Sequence, residues 1–203
     1  MVRKFALTSS GPLSGKTTLA KHLEIEYGFI RADHSRSLVK SFVADWNSSL
    51  PLLSGPITVE EVYRDKEQWR PLLQEWGYIS GFNDPGSAVR WVRYTLSEWA
   101  QQRYRDVVFD SLRGEGQASV LREMGFEVVQ IEIGEDERLK RAGGLGKTWE
   151  DIKRSMAAAP ELELGVRHPD IRLNGELTTY QQARILVHLP EGARCYQIFG
   201  SQL

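Results

Sequence analysis

The residues with the clearest chemical potential lie near the amino terminus, in Ser10-Gly11-Pro12-Leu13-Ser14-Gly15-Lys16-Thr17. Glycines let backbone N–H groups turn towards phosphate oxygens, and a helix that starts here adds the positive end of its dipole. Lys16 is expected to reach the β and γ phosphates of ATP, and the Thr17 hydroxyl to hold Mg²⁺. The segment is therefore predicted to be an ATP-binding phosphate loop, with contacts from Ser10, Gly11, Ser14, Gly15, Lys16, Thr17 and Thr18.

The first position of this loop departs from the usual pattern, which has a glycine five residues before the second glycine. Here that position is Ser10. Either Ser10 replaces the glycine in a loop of normal length, or Gly11 opens a loop that is one residue shorter. We favour the first interpretation, because the preceding strand is predicted to end at Ser9.

Two acids end predicted strands and should meet the phosphate loop at one sheet edge, since parallel strands present their carboxyl ends together. Asp33 could orient or deprotonate an attacking oxygen, and Asp110 could hold the water shell of Mg²⁺. The alternatives are structural: Asp33 as a helix cap, and Asp110 paired with Arg113 to brace a loop. His34 has no second metal ligand at a suitable spacing, so we predict no metal or triad chemistry there.

Cationic side chains are candidates for neutralising phosphate charge. Arg138 and Arg141 precede the glycine-rich segment 143–147, which predicts a lid at about 135–157 that closes over the transferring phosphoryl group. The alternative is a solvated charged helix. Lys66 and Arg70 lie four residues apart, and hence on one helical face. The predicted acceptor-binding residues are Arg36, Lys66, Arg70, Gln74, Arg93 and Arg113.

The elements that must position these residues follow from hydrophobic periodicity. A strand at 4–9, a helix at 15–27 stopped by Gly28, and a strand at 29–33 form a unit that favours a parallel sheet. Further strands are predicted at 106–110, 127–133 and 170–173. Helices are predicted at 115–124, at about 179–188 behind a Thr178–Gln181 capping box, and at 59–76 and 88–104. A single domain covers 1–203, with a helical insert at about 35–104.

Composition narrows the class of protein. The chain has 203 residues with 41% hydrophobic and 26% charged residues, which is typical of a globular protein rather than a disordered or fibrous one. The formal net charge of -1 gives no general basic excess for nucleic-acid binding. The only cysteine is Cys195, and no apolar stretch reaches the roughly 18 residues of a membrane span. A cytoplasmic protein without a membrane partner is expected.

Several segments resemble the phage-type deoxynucleoside monophosphate kinases, within a wider group that includes dephospho-coenzyme A kinases. They are the Ser-Gly-Lys-Thr-Thr segment, the acid after strand two, and residues 65–74, 107–113 and 121–126. The resemblance implies a P-loop kinase fold with a five-stranded parallel sheet in the order 2-3-1-4-5, and ATP and Mg²⁺ as cofactors. It places Asp33 and Arg36 near the acceptor, and Asn174 and Gly175 at the donor adenine. Ser10, and the two residues Ser111 and Leu112 between acid and arginine, depart from the family pattern.

Three functions remain open on the sequence. The first is a kinase that converts a nucleoside monophosphate to its diphosphate, acting as a monomer or homodimer on a small-molecule nucleotide, in the host cytoplasm if the chain is phage-encoded. The second is a related kinase that phosphorylates a hydroxymethyl pyrimidine within DNA. The third is a nucleotide-binding regulator with slow ATP hydrolysis alone.

Overall fold

The computed structural model describes residues 2–9, 11–49, 55–80, 88–97, 105–112, 114–156, 166–190 and 196–198. The predicted residues Ser10 and Arg113 lie outside these ranges, as do residues 98–104 of a predicted helix. Within them, no helix is long and apolar enough to cross a bilayer.

The strands form one parallel sheet whose order is β2-β3-β1-β4-β5-β6. This confirms the predicted five-stranded order, and a sixth strand extends the sheet beside β5 in a segment for which we made no prediction. The strands are β1 (Lys4–Ser9), β2 (Ile30–Ala32), β3 (Val107–Phe109), β4 (Glu127–Glu132), β5 (Ile171–Asn174) and β6 (Tyr196–Ile198).

Helices cover both faces of the sheet and form the segment between β2 and β3. In the described residues they are α1 (Lys16–Tyr27), α2 (His34–Ser49), α3 (Val59–Arg64), α4 (Lys66–Ile79), α5 (Ala88–Ser97), α6 (Gly114–Glu123), α7 (Glu135–Gly144), α8 (Trp149–Met156) and α9 (Thr179–His188). The end of α1 at Gly28, with a φ of 69°, and the Thr178–Gln181 capping box of α9 are as predicted.

The alternation of β1 explains the two halves of the core. Phe5 and Leu7 pack with α1 and α9 on one face, whereas Ala6 faces a second cluster that includes Leu112 and Leu121. Apolar burial on both faces is what a central parallel strand requires. It fixes the carboxyl end of β1, and hence the start of the phosphate loop, at the middle of the sheet edge.

The insert has a core of its own, built around Phe42, Val62 and Leu73. The single helix predicted over 59–76 is wrong, because the chain forms α3 and α4 with Asp65 between them. The backbone carbonyl of Asp65 accepts hydrogen bonds from the N–H groups of Gln68 and Trp69, at 2.9 and 3.3 Å, so Asp65 ends one helix and begins the next. The break turns the end of α3, with Tyr63, towards the sheet edge.

Candidate active site

The phosphate loop connects β1 to α1 and carries a lysine held at its base. Lys16 Nζ donates to Ser9 Oγ at 2.7 Å, and that hydroxyl donates to the Gly11 carbonyl at 2.9 Å. Gly15 has a φ of 91°, a conformation that glycine adopts without strain, and it precedes α1 with no side-chain cap. The amino terminus of α1 and the lysine therefore lie together at the loop, and a helix amino terminus favours a nearby anion.

Arg138 lies directly over this loop. It is in the first turn of α7, which follows β4, and its side chain is buried. A Cβ atom added to Gly11 would lie 3.2–3.3 Å from the Arg138 guanidinium, so glycine gives this arginine room to approach the loop backbone. The sequence predicted an arginine that acts from a lid, and the structure places it against the loop.

Arg141, one turn further along α7, connects three parts of the site. It donates through Nη1 to the Leu13 carbonyl at 3.1 Å, through Nη2 to the Gly175 carbonyl, and through Nε to Glu137 at 3.0 Å. The hydrogen bond from Arg141 lowers the pKa of the Glu137 carboxyl. Arg141 therefore fixes the orientation of α7 over the loop. Glycine is required at 175, since a Cβ there would lie 2.7 Å from the Glu132 carbonyl oxygen.

The two predicted acids meet at the sheet edge through an arginine that the sequence reading did not select. Arg31, on β2, donates through Nε to Asp110 Oδ2 at 2.7 Å and through Nη2 to Asp33 Oδ2 at 3.0 Å. The side chain of Arg31 is 13% exposed and that of Asp110 is 2% exposed. Arg31 and Asp33 are two residues apart, so the alternation of a strand puts them on the same side of the sheet.

Burial and neighbouring charges shift the pKa values of three groups in this cluster. Burial and the neighbouring Asp33 raise the pKa of Asp110, although Arg31 opposes the rise. For Arg31, burial lowers the pKa, but the carboxylates of Asp110 and Asp33 outweigh it and raise the pKa. Burial and Asp33 together raise the pKa of Tyr63 to about 12, so that phenol stays protonated at neutral pH.

Asp33 caps a helix, which is one of the alternatives that the sequence left open, and its role towards an attacking oxygen stays a prediction. Its Oδ1 accepts the backbone N–H of Arg36 at 2.9 Å, and its carbonyl accepts that of Ser37 at 3.1 Å, which is the geometry of a cap on α2. Its Oδ2 faces Arg31 and accepts the Tyr63 hydroxyl at 2.9 Å. The carboxylate is thus fixed in place by the start of α2 while remaining at the sheet edge.

A cleft of about 260 Å³ opens beside this acid, between α2 and α3. Its lining residues mix two arginines, one carboxylate, an aromatic ring and an apolar side chain: Arg36, Val59, Glu60, Tyr63 and Arg64. The Lys66 ammonium lies 5.0 Å from the centre of the Tyr63 ring, and the Arg36 guanidinium lies 5.8 Å from it. The cleft is suited to an anionic or hydrogen-bonding small molecule.

The remaining predicted residues differ in how close the structure puts them to this cleft. Lys66 contacts the ring of Tyr63, which lines the cleft. Arg70 and Gln74 are half-buried further along α4. Arg93 is exposed on α5. Asn174 ends β5, where its Oδ1 accepts the N–H of Glu176 at 2.8 Å. Their predicted roles in binding stay predictions.

The residues proposed for Mg²⁺ fit a cation that is held mainly by phosphates. No group of three or more acidic, His or Cys side chains that could hold a metal occurs in the described part of the chain. Asp110 Oδ1 is buried and has no hydrogen-bond partner among the described residues, and Thr17 is exposed in the first turn of α1. One carboxylate and one hydroxyl are the small protein contribution that Mg²⁺ commonly takes beside a nucleotide.

Sequence reasoning missed Arg31, Tyr63 and a buried polar chain beneath the site. His34 Nδ1 lies 2.7 Å from Thr95 Oγ1, its Nε2 lies 3.2 Å from Gln117 Nε2, and its ring packs on Phe109. The histidine thus joins α2 to α5 and α6 through these contacts. The period-two spacing of Arg31 and Asp33 was the available signal for Arg31.

Comparisons with known proteins show no family for this chain. No family model matches the chain, and no curated protein matches it in sequence. Among solved structures, the chain is similar to a sugar kinase from Janibacter sp. HTCC2649, with a TM-score of 0.49, 18% identity, and coverage of 91% of each chain. It is also similar to a gluconokinase from Sinorhizobium meliloti 1021, with a TM-score of 0.49, 12% identity, and coverage of 91% of this chain and 89% of that one. The resemblance to deoxynucleoside monophosphate kinases stays a prediction.

Proposed function

We propose that the protein transfers a phosphoryl group from ATP to a small-molecule acceptor bound in the cleft between α2 and α3. The observation that carries this proposal is the arrangement at one sheet edge. Arg138 lies against Gly11 in the loop that precedes Lys16. The Arg31–Asp33–Asp110 cluster lies at the ends of β2 and β3, and β3 pairs with β1. A donor site for phosphates and an acid for the acceptor are the two parts that such a transfer needs.

On the donor side, the chain's own groups would bind and neutralise the triphosphate. Backbone N–H groups of the loop and of the first turn of α1 would bind phosphate oxygens, and Lys16 and Arg138 would offset the charge on the transferring group. When bound, Mg²⁺ would supply further charge neutralisation, with Thr17 and Asp110 Oδ1 as the residues that hold it. These groups are fixed before the reaction, so little reorganisation is needed.

For the acceptor, the first candidate is a nucleoside monophosphate. Its support is the resemblance described above, together with Arg36 and Arg64, which line the cleft in exposed pairs with Glu60 and Asp65. Lys66 lies over the Tyr63 ring. An arginine fork suits a phosphate group because its N–H donors match two phosphate oxygens.

A second candidate is an acceptor that presents a hydroxyl group, including a hydroxymethyl pyrimidine in DNA. The observation that favours it is that Asp33 accepts a hydrogen bond from Tyr63, which lines the cleft. A carboxylate attracts a hydroxyl donor and repels a second phosphate. A DNA acceptor would bind less tightly as salt increases.

The experiment is a transfer assay with ATP labelled at the γ-phosphoryl group. The acceptors are free deoxynucleoside monophosphates (modified bases included), small hydroxyl acceptors, and duplex DNA with hydroxymethyl pyrimidines. We expect label in one acceptor class. The Lys16→Ala variant should lose about 10²–10³-fold in turnover. Lys21→Ala, which changes an exposed lysine on the same helix, should retain activity. Hydrolysis that no acceptor stimulates would favour the regulator instead.

A further inference from the structure

Tyr63 is the described side chain that connects the cleft to Asp33. It lies at the end of α3, half-buried, with its ring in the cleft and its hydroxyl 2.9 Å from Asp33 Oδ2. The high pKa of Tyr63, about 12, keeps the proton on the phenol, so the hydroxyl is the donor and the carboxylate the acceptor. One side chain therefore touches both the place where an acceptor would lie and the acid that would orient it.

The hydrogen bonds of Asp33 leave one direction open for an acceptor. A carboxylate accepts about four hydrogen bonds. In the described residues, Oδ2 accepts from Arg31 and Tyr63, and Oδ1 accepts from the backbone N–H of Arg36. The remaining position is on Oδ1. Tyr63 and Arg31 together occupy Oδ2, so a hydroxyl group that reached this carboxylate would bond to Oδ1.

The ring of Tyr63 also contacts two cationic side chains. The guanidinium of Arg36 and the ammonium of Lys66 lie 5.8 and 5.0 Å from its centre, within the range of a cation–π contact. The ring therefore helps to hold the cations of the cleft, whereas the hydroxyl holds the acid.

We propose that Tyr63 is a positioning residue that holds Asp33 in the orientation needed for phosphoryl transfer, and that its hydroxyl and its ring have separable effects. The hydroxyl acts on turnover through Asp33, and the ring acts on acceptor binding through Arg36 and Lys66. This inference rests on the proposed function, because it concerns the acceptor half of the same site.

The test is steady-state kinetics of Tyr63→Phe and Tyr63→Leu with the best acceptor from the transfer assay. Tyr63→Phe should lower kcat by about tenfold or more, the effect of losing one hydrogen bond to a charged group, while KM for ATP and acceptor stay within about twofold. Tyr63→Leu should in addition raise KM for the acceptor. Tyr180→Phe, at an exposed tyrosine on α9, is the matched control and should behave as the unmodified protein.

A double-mutant cycle separates positioning from a general structural effect. If Tyr63 acts through Asp33, Tyr63→Phe should cost little further kcat in an Asp33→Asn background. Full additivity would overturn the proposal, as would unchanged kcat in Tyr63→Phe or loss of its cooperative unfolding transition. An unmodified protein that labels no acceptor would refute the proposed function itself, and this inference with it. An active protein with a normal Tyr63→Phe variant would refute only the role of Tyr63.

Discussion

The donor and acceptor halves of the site are built in different ways. The donor half consists of a short stretch of chain after β1, covered by two arginines from one helix, and many of its contacts are to backbone carbonyls. The acceptor half consists of side chains from β2, α3 and the end of β3, whose contacts join Arg31 to two carboxylates and the Tyr63 hydroxyl to one of them. The first half depends on backbone conformation, and the second on a balance of buried charge.

This difference predicts where each half is vulnerable. Backbone donors keep their character at any ordinary pH and tolerate changes in distant side chains. A buried carboxylate lowers the free energy of unfolding unless it has a partner. Loss of one residue of the Arg31–Asp33–Asp110 cluster should therefore destabilise the fold.

Replacing Arg31 should have the largest effect on folding. Arg31→Leu leaves Asp110 buried without its counter-ion, and we expect the free energy of unfolding to fall by about 3 kcal/mol, as when one partner of a buried ion pair is removed. Arg64→Leu is the control, because its pair with Asp65 is exposed and should contribute about 0–1 kcal/mol. Urea unfolding gives both values, and equal losses would contradict the idea of a charge-dependent acceptor half.

Replacing Asp33 should affect turnover rather than donor binding. Asp33→Asn keeps the size and much of the capping of α2 but removes the negative charge. We expect kcat to fall by about 10²-fold, at the low end for a general base, because phosphoryl transfer depends mainly on positioning and charge. Affinity for ATP, measured by calorimetry, should stay nearly constant. A variant with unchanged turnover would remove Asp33 from the reaction.

Replacing Arg141 tests the backbone-held half. Arg141→Ala loses the hydrogen bonds to the Leu13 and Gly175 carbonyls, and we expect a loss of about 1–2 kcal/mol in unfolding free energy together with weaker ATP binding. Lys140→Ala, at a neighbouring side chain that is 80% exposed, is the matched control. Equal melting temperatures and ATP affinities for the two variants would contradict the bridging role of Arg141.

The smallest effect is a pH dependence from Asp110. Because its pKa is raised in the folded state, its contribution to stability is fully present below the ordinary value of 3.8 and is lost as the pH rises through the raised value. Asp110→Asn should remove this decline from the curve of unfolding free energy against pH. Unfolding measured in urea over about pH 4–7 tests it, and two parallel curves would contradict the shift.

The sequence predicted the features that depend on neighbouring residues, and it did not predict the contacts between residues far apart in the chain. The ends of β1 and α1, and the capping box of α9, depend on neighbouring residues, so local patterns located them. The pairing of Arg31 with Asp110 joins residues 79 positions apart, and that of Tyr63 with Asp33 joins residues 30 apart, so neither leaves a local pattern. The break at Asp65 was missed for a related reason, since the apolar period continues across it.

The proposed function depends on the loop after β1 binding the phosphates of ATP, and calorimetric titration with ATP and Mg²⁺ measures this binding. We expect saturable binding by the unmodified protein and by Lys21→Ala, and at least about tenfold weaker binding by Lys16→Ala, which loses a charge-assisted contact. Equal affinity in all three proteins, or no binding by any of them, would contradict it.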